Sequence, residues 1–436
     1  MYRLSVVGLC SLALLVWAGA LGAADDVADE RREQYELMKL FVESFQQIES
    51  NYVTEVDRRE LMEAAIRGMI RHLDQYSSYM TPGDVERFTQ VVDQEFGGIG
   101  IHVNFQTGVL RVLSPLPGSP AAKAGIRSGD AILEVDGESV ENFDVLSDAV
   151  KRIQGPIGRP VRLKVLHEGE RRESEEITVV REVIQVPTIH GFRLNEDKQW
   201  NFMYSDEEEI GYIHLAHFSQ RTSEELRTTL HELVDQGMNG LILDLRSNPG
   251  GLLDAAIEIC DLFLKSGNIV SVQGRNVAHQ SWDANEEGTL PEFPMAILVN
   301  RYSASASEVV SAALQDNQRA VVVGERTWGK GSVQNMIRLE EGNSQLKLTM
   351  ATYHRPSGVN IHRMNAAGDE DDWGVRPDEG LEHRFDRRQF SQWVTAMRRR
   401  EILRENAGET STDGGNFVDT QLNAALDYVR NRIASE

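Results

Sequence analysis

Apolar residues recur at two different spacings along the chain, and the spacing separates a helical start from a mixed α/β remainder. Between residues 29 and 50 they fall on one face of a helix: Leu37, Phe41, Phe45 and Ile48. A second helix is predicted from residue 58 to residue 73, with Asp57 as its N-cap and Glu60 completing a capping box. Helices of this kind pack either on the domain that follows or on a second subunit, and the pattern fits both.

From residue 96 the pattern changes to short apolar runs between glycine turns. We predict strands at 109–113, 131–135, 161–166 and 175–180 and a helix at 143–153. Asp136-Gly137 is typical of a tight turn between two strands. Residues 96–183 are therefore predicted to form a small β-rich domain.

Beyond residue 184, continuous apolar strands alternate with amphipathic helices. Strands are predicted at 210–215, 240–245, 295–299 and 320–324, and helices at 223–236, 252–264 and 306–314. This order predicts a mostly parallel sheet covered by helices across residues 184–384. Active sites of such folds lie at the carboxyl ends of the strands.

The two ends of the chain have their own character. Residues 1–24 combine Arg3, an apolar stretch and small residues before Asp25, the layout of a cleaved secretory signal; an uncleaved membrane anchor is the alternative. Residues 25–95 form a predicted N-terminal helical region. Residues 385–436 form a second one, with a linker at 405–416 and a final amphipathic helix.

Composition narrows the function classes. The 436 residues carry a net charge of −23, which argues against nucleic acid and anionic lipid as partners, because both need a basic surface. Of the two cysteines, one lies in the predicted signal, so Cys260 is predicted to be a buried thiol and no internal disulfide is expected.

The first candidate for chemistry is Ser305, within the run NRYSASASE. A buried strand ends near Asn300 and a helix begins near Ser305, which exposes the serine where helical N–H groups stabilise negative charge. An ordinary helix cap, supplied by Ser303 or Ser305, explains the same residues.

The second candidate is Lys330, within GERTWGKGSVQ. To act as a base near neutral pH, its amine must have a pKa well below the usual value of about 10.4, and a desolvated pocket lowers it. If residues 330–338 form a strand, Lys330 and Gln334 share a face and the amide can orient the amine. A solvated loop lysine is the alternative. The motif lacks the hydroxyl residue after the lysine that a phosphate-binding loop requires, so nucleotide binding is not expected.

The third candidate is the run LDLRSNPGG at residues 243–251. A buried strand there turns through Gly250 and Gly251 into a helix, and backbone N–H groups of such a turn can hold an oxyanion. A plain strand-to-helix turn is the alternative. His214 and His217 lie on opposite sides of a predicted strand, so no metal site and no cofactor are expected.

Together these motifs resemble those of the carboxyl-terminal processing peptidases, serine proteases with a PDZ domain. DLRSNPGG, SASASE and GKGSVQ occur in the family's order, and the similarity covers roughly residues 45–380. GIGI at residues 98–101 and SPAAKAGIRSGDAILEVDG resemble a PDZ domain of the bacterial protease type. The fold class implied is α/β and multidomain: a mixed α/β protease core, an inserted PDZ-like domain and helical N- and C-terminal regions.

The resemblance implies a role for each motif. Ser305 becomes the nucleophile, Lys330 the base and Gln334 the residue that orients the base. The N–H groups of Ala306 and of Gly250 or Gly251 form the oxyanion hole. The peptide-binding loop of the PDZ-like domain consists of Gly98, Ile99, Gly100 and Ile101.

The implied function is that of an exported, periplasmic serine endopeptidase acting through an acyl-enzyme. Its partners are proteins or peptides with accessible C-termini, a homo-oligomer is expected, and an activating adaptor protein is a further possibility. The alternative is a peptide-binding protein that is non-catalytic, or latent until a partner engages it. The acidic stretch at residues 368–372 departs from the family pattern without touching the three motifs.

Overall fold

The computed structural model describes residues 31–93, 95–106, 108–116, 118–167, 174–195, 199–205, 207–364, 366–401 and 417–435. The predicted signal, residues 1–24, and the predicted linker, residues 405–416, lie outside this part. Contacts divide the chain into two compact units after Tyr79. Within the described ranges, every helix is too short or too polar to cross a bilayer.

The described part of the N-terminal unit, residues 31–79, contains two helices. Residues 31–51 form α1, and α2 spans Arg58–Arg71, two residues shorter than predicted. The Asp57 carboxylate accepts the N–H of Glu60 at 2.9 Å, which confirms the predicted cap. A short strand, β1, follows at Ser78–Met80. Along α1 most apolar side chains are exposed, among them Tyr35, Leu37, Met38, Leu40 and Phe41.

The second unit begins with α3 (Pro82–Asp93) and continues into the β-rich domain. Its sheet has the order β3-β4-β5-β7-β8, with β6 paired to β5. The strands are β3 (Ile101–Gln106), β4 (Val109–Pro115), β5 (Ala131–Val135), β6 (Glu138–Ser139), β7 (Pro160–Leu166) and β8 (Glu175–Val180). A separate ribbon pairs β2 (Glu95–Gly98) with β9 (Glu182–Gln185).

Two helices complete this domain. They are α4 (Pro120–Lys123) and α5 (Leu146–Ile153). The predicted helix at 143–153 therefore starts three residues late, because a 3₁₀ turn at Val140–Asn142 and an extended Phe143 come first. Val112, Ile132, Leu163 and Val179 belong to one buried cluster that forms the domain's own core.

The predicted parallel sheet is present. Its order is β10-β14-β15-β18-β19, with β13 paired to β14, and the last four strands of that order run parallel. The strands are β10 (Ile189–His190), β13 (Met203–Ser205), β14 (Ile210–Leu215), β15 (Gly240–Asp244), β18 (Met295–Val299) and β19 (Val321–Gly324).

Helices cover both faces of this sheet, which explains why its strands are apolar without alternation. On one face, side chains such as Leu243 and Ile297 pack among those of α6 (Thr222–Asp235), α7 (Leu253–Asp261) and α8 (Ala306–Asp316). Cys260 of α7 is buried there, as predicted. On the other face, Ile242 and Leu298 pack against α10 (Thr420–Ile433). Helix α9 spans Arg387–Glu401.

A second, antiparallel sheet was not predicted. It has the order β20-β21-β16-β17 and comprises β16 (Asn268–Gly274), β17 (Val277–Asp283), β20 (Ser332–Leu339) and β21 (Ser344–His354). A small ribbon of β11 (Arg193–Leu194) and β12 (Trp200–Asn201) lies between β10 and β13 in the chain. The chain passes from the parallel to the antiparallel sheet between β19 and β20, and this crossing carries Lys330.

Candidate active site

Ser305 lies at the turn between the buried strand β18 and helix α8. Its backbone has φ 57° and ψ −116°, a strained positive-φ conformation that costs a non-glycine residue about 1–3 kcal/mol and is concentrated at functional sites. The residue is half-buried while Ala304 and Ala306 on either side are buried. The turn therefore holds the serine in a strained and accessible position.

The neighbouring serines have other roles. Ser303 Oγ donates to the carbonyl of Leu245 at 2.8 Å, and Ser307 Oγ donates to that of Asn248 at 3.0 Å. Both are fully buried. They attach the Ser305 turn to the segment that follows β15, so Ser305 alone of the three is placed for chemistry.

The carboxylate of Glu308 joins the Ser305 turn to the Lys330 loop. Its Oε2 accepts the backbone N–H of Ser305 and that of Lys330, both at 2.8 Å. Its Oε1 accepts Thr327 Oγ1 and the N–H of Gly329, both at 2.6 Å. Burial raises the pKa of Glu308, and these four hydrogen bonds oppose that rise. One fully buried side chain thus fixes both candidate residues.

Lys330 occupies the loop before β20, in a half-buried position. Burial lowers the pKa of Lys330, the charge of Lys347 lowers it further, and Glu308 acts in the opposite direction. This direction favours the neutral amine that a general base requires. The predicted strand at 330–338 begins instead at Ser332, so the position of Lys330 depends on the loop and on Glu308.

Gln334 lies on β20, next to a β-bulge in its pairing with β21. Its side-chain nitrogen donates to Ser332 Oγ at 2.9 Å and to Thr349 Oγ1 at 3.2 Å. Both hydroxyls therefore set the orientation of this amide. The expected contact between Gln334 and Lys330 stays a prediction.

The loop at residues 247–251 lies directly against the Ser305 turn. Gly250 has φ +98°, and a Cβ on it would come within 2.7 Å of the Ser305 Cβ and 2.9 Å of the Ala306 nitrogen. Its N–H donates to Asn248 Oδ1 at 2.8 Å. Gly250 is thus needed for the close approach of the two segments, and its N–H already has an acceptor within the loop. The oxyanion hole of Ala306 with Gly250 or Gly251 stays a prediction.

Glu308 was not predicted as a site residue. It is an acidic residue in the first turn of helix α8, followed by small and apolar residues up to Leu314, and it is fully buried. A buried charge inside an apolar run requires partners. The buried charge could have been recognised from the sequence, but the hydrogen-bond partners of Glu308 could not.

In the β-rich domain, residues 98–101 connect the ribbon strand β2 to β3. The carbonyl of Ile99 accepts the Ala121 N–H at 2.9 Å, and the carbonyl of Gly100 accepts the N–H of Leu116 at 2.9 Å. Gly100 has φ +73° and a Cβ there would lie 2.5 Å from the Ser119 Cβ. The loop is therefore held by its carbonyl groups, and β3 lies at the edge of its sheet among the described strands.

Comparison with known protein families agrees with this architecture. Residues 209–380 match peptidase family S41, and residues 111–166 match the PDZ domain. Residues 19–83 match the N-terminal domain of the activating protease CtpB.

Curated relatives cover most of the chain. A carboxy-terminal-processing protease of Bartonella bacilliformis is 34% identical over 438 residues, spanning 97% of this chain and 94% of the relative. A carboxyl-terminal-processing protease of Synechocystis is 35% identical over 327 residues, spanning 74% and 72%. Among solved structures, a photosystem II D1 C-terminal processing protease is 27% identical, with a TM-score of 0.43 over 79% of this chain and 92% of that one. The chain is therefore a serine-type peptidase and belongs to the carboxy-terminal processing proteases of peptidase family S41.

Proposed function

We propose that this protein is an endopeptidase in which Ser305 is the nucleophile and Lys330 the general base. The observation that carries the proposal is the shared carboxylate of Glu308, which accepts the backbone N–H groups of both residues. Two backbone N–H groups that share one acceptor oxygen hold their residues close together, as a nucleophile and its base must be.

The chemistry follows from this pair. The neutral amine of Lys330 takes the proton of Ser305 Oγ as that oxygen attacks the substrate carbonyl carbon. The resulting oxyanion is stabilised by the N–H groups of Ala306 and Gly251. When the C–N bond breaks, the ammonium of Lys330 returns the proton to the leaving amine. Water, deprotonated by Lys330, then attacks the acyl carbon; the ester C–O bond breaks, and the ammonium of Lys330 returns the proton to Ser305 Oγ.

Gln334 is proposed to orient the base. Its Nε2 is engaged with Ser332 and Thr349, so its Oε1 is the atom that would accept a hydrogen bond from the Lys330 amine. An oriented amine is a more effective base, because its lone pair then points at the serine hydroxyl.

The PDZ domain is proposed to bind the C-terminal tail of the substrate. The edge strand β3 offers backbone groups for β-augmentation, and the adjoining loop at residues 98–101 offers N–H groups for a terminal carboxylate. The relatives are named for processing of carboxyl termini, which supports the same substrate class here.

The test of the dyad is cleavage of an unfolded model protein such as casein. Ser305→Ala and Lys330→Ala should both abolish cleavage, while Lys265→Ala, which removes an exposed lysine paired with Glu292, should not. If Lys330→Ala cleaves like the unmodified protein, another base operates. If the unmodified protein is also inactive, the protein is latent or a non-catalytic peptide binder.

The test of tail binding compares long and short substrates. Gly100→Ala inserts a methyl group against Ser119, whereas Gly125→Ala adds one in open space at a similar φ of +89°. Only the first should slow the cleavage of a protein with a C-terminal tail, and neither should affect a short internal peptide. Equal slowing of both substrates by Gly100→Ala would contradict the proposal.

We also propose that the protein is exported to the periplasm and acts as a homo-oligomer. The basic and apolar layout of residues 1–24 supports export, and fractionation of cells that express the full chain tests it.

The exposed apolar side chains of α1 support pairing with a second copy. Light scattering of the protein and of a Leu37→Glu, Phe41→Glu variant should give different masses. An unchanged mass would favour an adaptor as the partner of this face.

A further inference from the structure

The guanidinium of Arg246 is a fully buried cation immediately before the 247–251 loop. It donates from Nε and Nη2 to the carboxylate of Asp244, which ends β15, at 2.9 and 2.6 Å. Tyr212 Oη donates to the same carboxylate at 2.7 Å. The pair Asp244–Arg246 therefore joins the end of a central strand to the start of the loop.

A second carboxylate reaches Arg246 from the far end of the chain. Arg246 Nη1 donates to the two oxygens of Asp419 at 2.9 and 3.0 Å, and to Gln421 Oε1 at 3.1 Å. The Asp419 side chain is only 10% exposed. The ring of Trp393, on α9, lies 5.0 Å from the guanidinium carbon. Three residues of the C-terminal region thus complete the surroundings of a buried charge.

The C-terminal helix holds Asp419 in this place. Asp419 is the N-cap of α10 and accepts the N–H of Leu422 at 3.0 Å. Gln421 Nε2 donates to the carbonyl of His383 at 2.7 Å. Along α10, Leu426 and Val429 are buried against the parallel sheet. Packing of α10 on the sheet therefore places the residues at its N-terminus next to Arg246.

Contacts from the loop lead on to the nucleophile. The N–H of Ser247 donates to Asn300 Oδ1 at 3.0 Å. The carbonyl of Asn248 accepts the N–H of Ala304 and the hydroxyl of Ser307, both at 3.0 Å. A displacement of Arg246 would move these residues and, with them, the N–H group of Gly251.

We propose that Asp419, assisted by Gln421, is a positioning residue for the reaction: it holds Arg246, and through Arg246 the loop that carries the oxyanion donor. The inference rests on the proposed function. Without the Asp419 charge, Arg246 keeps one of its two carboxylate partners while it remains buried, which favours its movement toward water. The loop then loses its fixed geometry, and small displacements at such a site lower the rate strongly.

The decisive variant is Asp419→Asn. Asparagine caps helices as well as aspartate does, so α10 keeps its cap while Arg246 loses the charge. The matched control is Asp427→Asn, an exposed aspartate of the same helix that pairs with Arg430. With a short internal peptide as substrate, kcat of Asp419→Asn should fall about tenfold or more. KM should change by less than about twofold, since tail binding is not involved.

A second measurement does not depend on catalysis. Hydrogen exchange of the peptide containing residues 247–251 should be faster in Asp419→Asn than in Asp427→Asn, and Asp419→Glu should restore part of the protection. Equal kcat and equal exchange in the two Asn variants would overturn the inference. If the unmodified protein shows no Ser305-dependent cleavage, the proposed function fails, and the exchange experiment still decides the role of Asp419.

Discussion

Replacing Glu308 by glutamine tests whether one carboxylate keeps the nucleophile and the base together. The substitution preserves the shape of the side chain but turns one acceptor oxygen into an NH2 donor. Four donors surround this group: three backbone N–H groups, of Ser305, Gly329 and Lys330, and the hydroxyl of Thr327. Two of them will face the new NH2 group.

The structure indicates which two. The Thr327 hydroxyl can reverse its role and accept a hydrogen bond, whereas a backbone N–H cannot. The NH2 group is therefore expected on the side of Thr327 and Gly329, where only the Gly329 N–H loses its acceptor. A buried donor without a partner costs about 1–3 kcal/mol. If the Lys330 loop moves to give the Gly329 N–H another acceptor, returning it to the reactive position costs this free energy. The kcat then falls by about fivefold to 150-fold.

The assay is kcat on a short internal peptide, measured well below the melting temperature of every variant. Glu225→Gln is the control, since Glu225 accepts hydrogen bonds from the N–H and the hydroxyl of Thr188 and from Arg221, and from neither Ser305 nor the Lys330 loop. Both variants should lose stability, but only Glu308→Gln should lose rate. An unchanged kcat for Glu308→Gln, at a melting temperature equal to that of the control, would refute the reasoning.

Three further predictions follow from single contacts. Activity should rise with pH as Lys330 loses its proton. Lys347→Met should shift this rise to higher pH, because it removes a positive charge that lowers the Lys330 pKa. The control Lys265→Met should leave the pH profile unchanged. Gly250→Ala places a methyl group 2.6 Å from the Ala304 carbonyl oxygen, so it should lower kcat by about a hundredfold or more. Both kcat and KM are measured on a short peptide, and the loss should appear in kcat. Gln334→Ala should lower kcat less than Lys330→Ala does, since the amide orients the base and does not take the proton; equal losses in the two variants would contradict this role.

Local sequence determined much of this fold because its signals are local. The strands at 131–135, 175–180, 210–215 and 295–299 were predicted to the residue, since short apolar runs between glycine or polar turns leave little freedom in their bounds. The motifs around Ser305, Lys330 and Gly250 were likewise visible, because each follows a buried strand. Parallel strands then bring their carboxyl ends to one edge.

Tertiary structure decided which residues from distant parts of the chain contact the motifs. The antiparallel sheet of β16, β17, β20 and β21 joins segments far apart in the chain, and no local period reveals such pairing. Glu308 is recognisable in the sequence as a charge followed by small and apolar helix residues, yet the four groups that donate to it come from a different loop and from the preceding turn. The link from Arg246 to Asp419 spans 173 positions. The hydrogen-bond partners of a buried charge are the groups that packing brings within about 3 Å. Only the folded chain determines which groups these are.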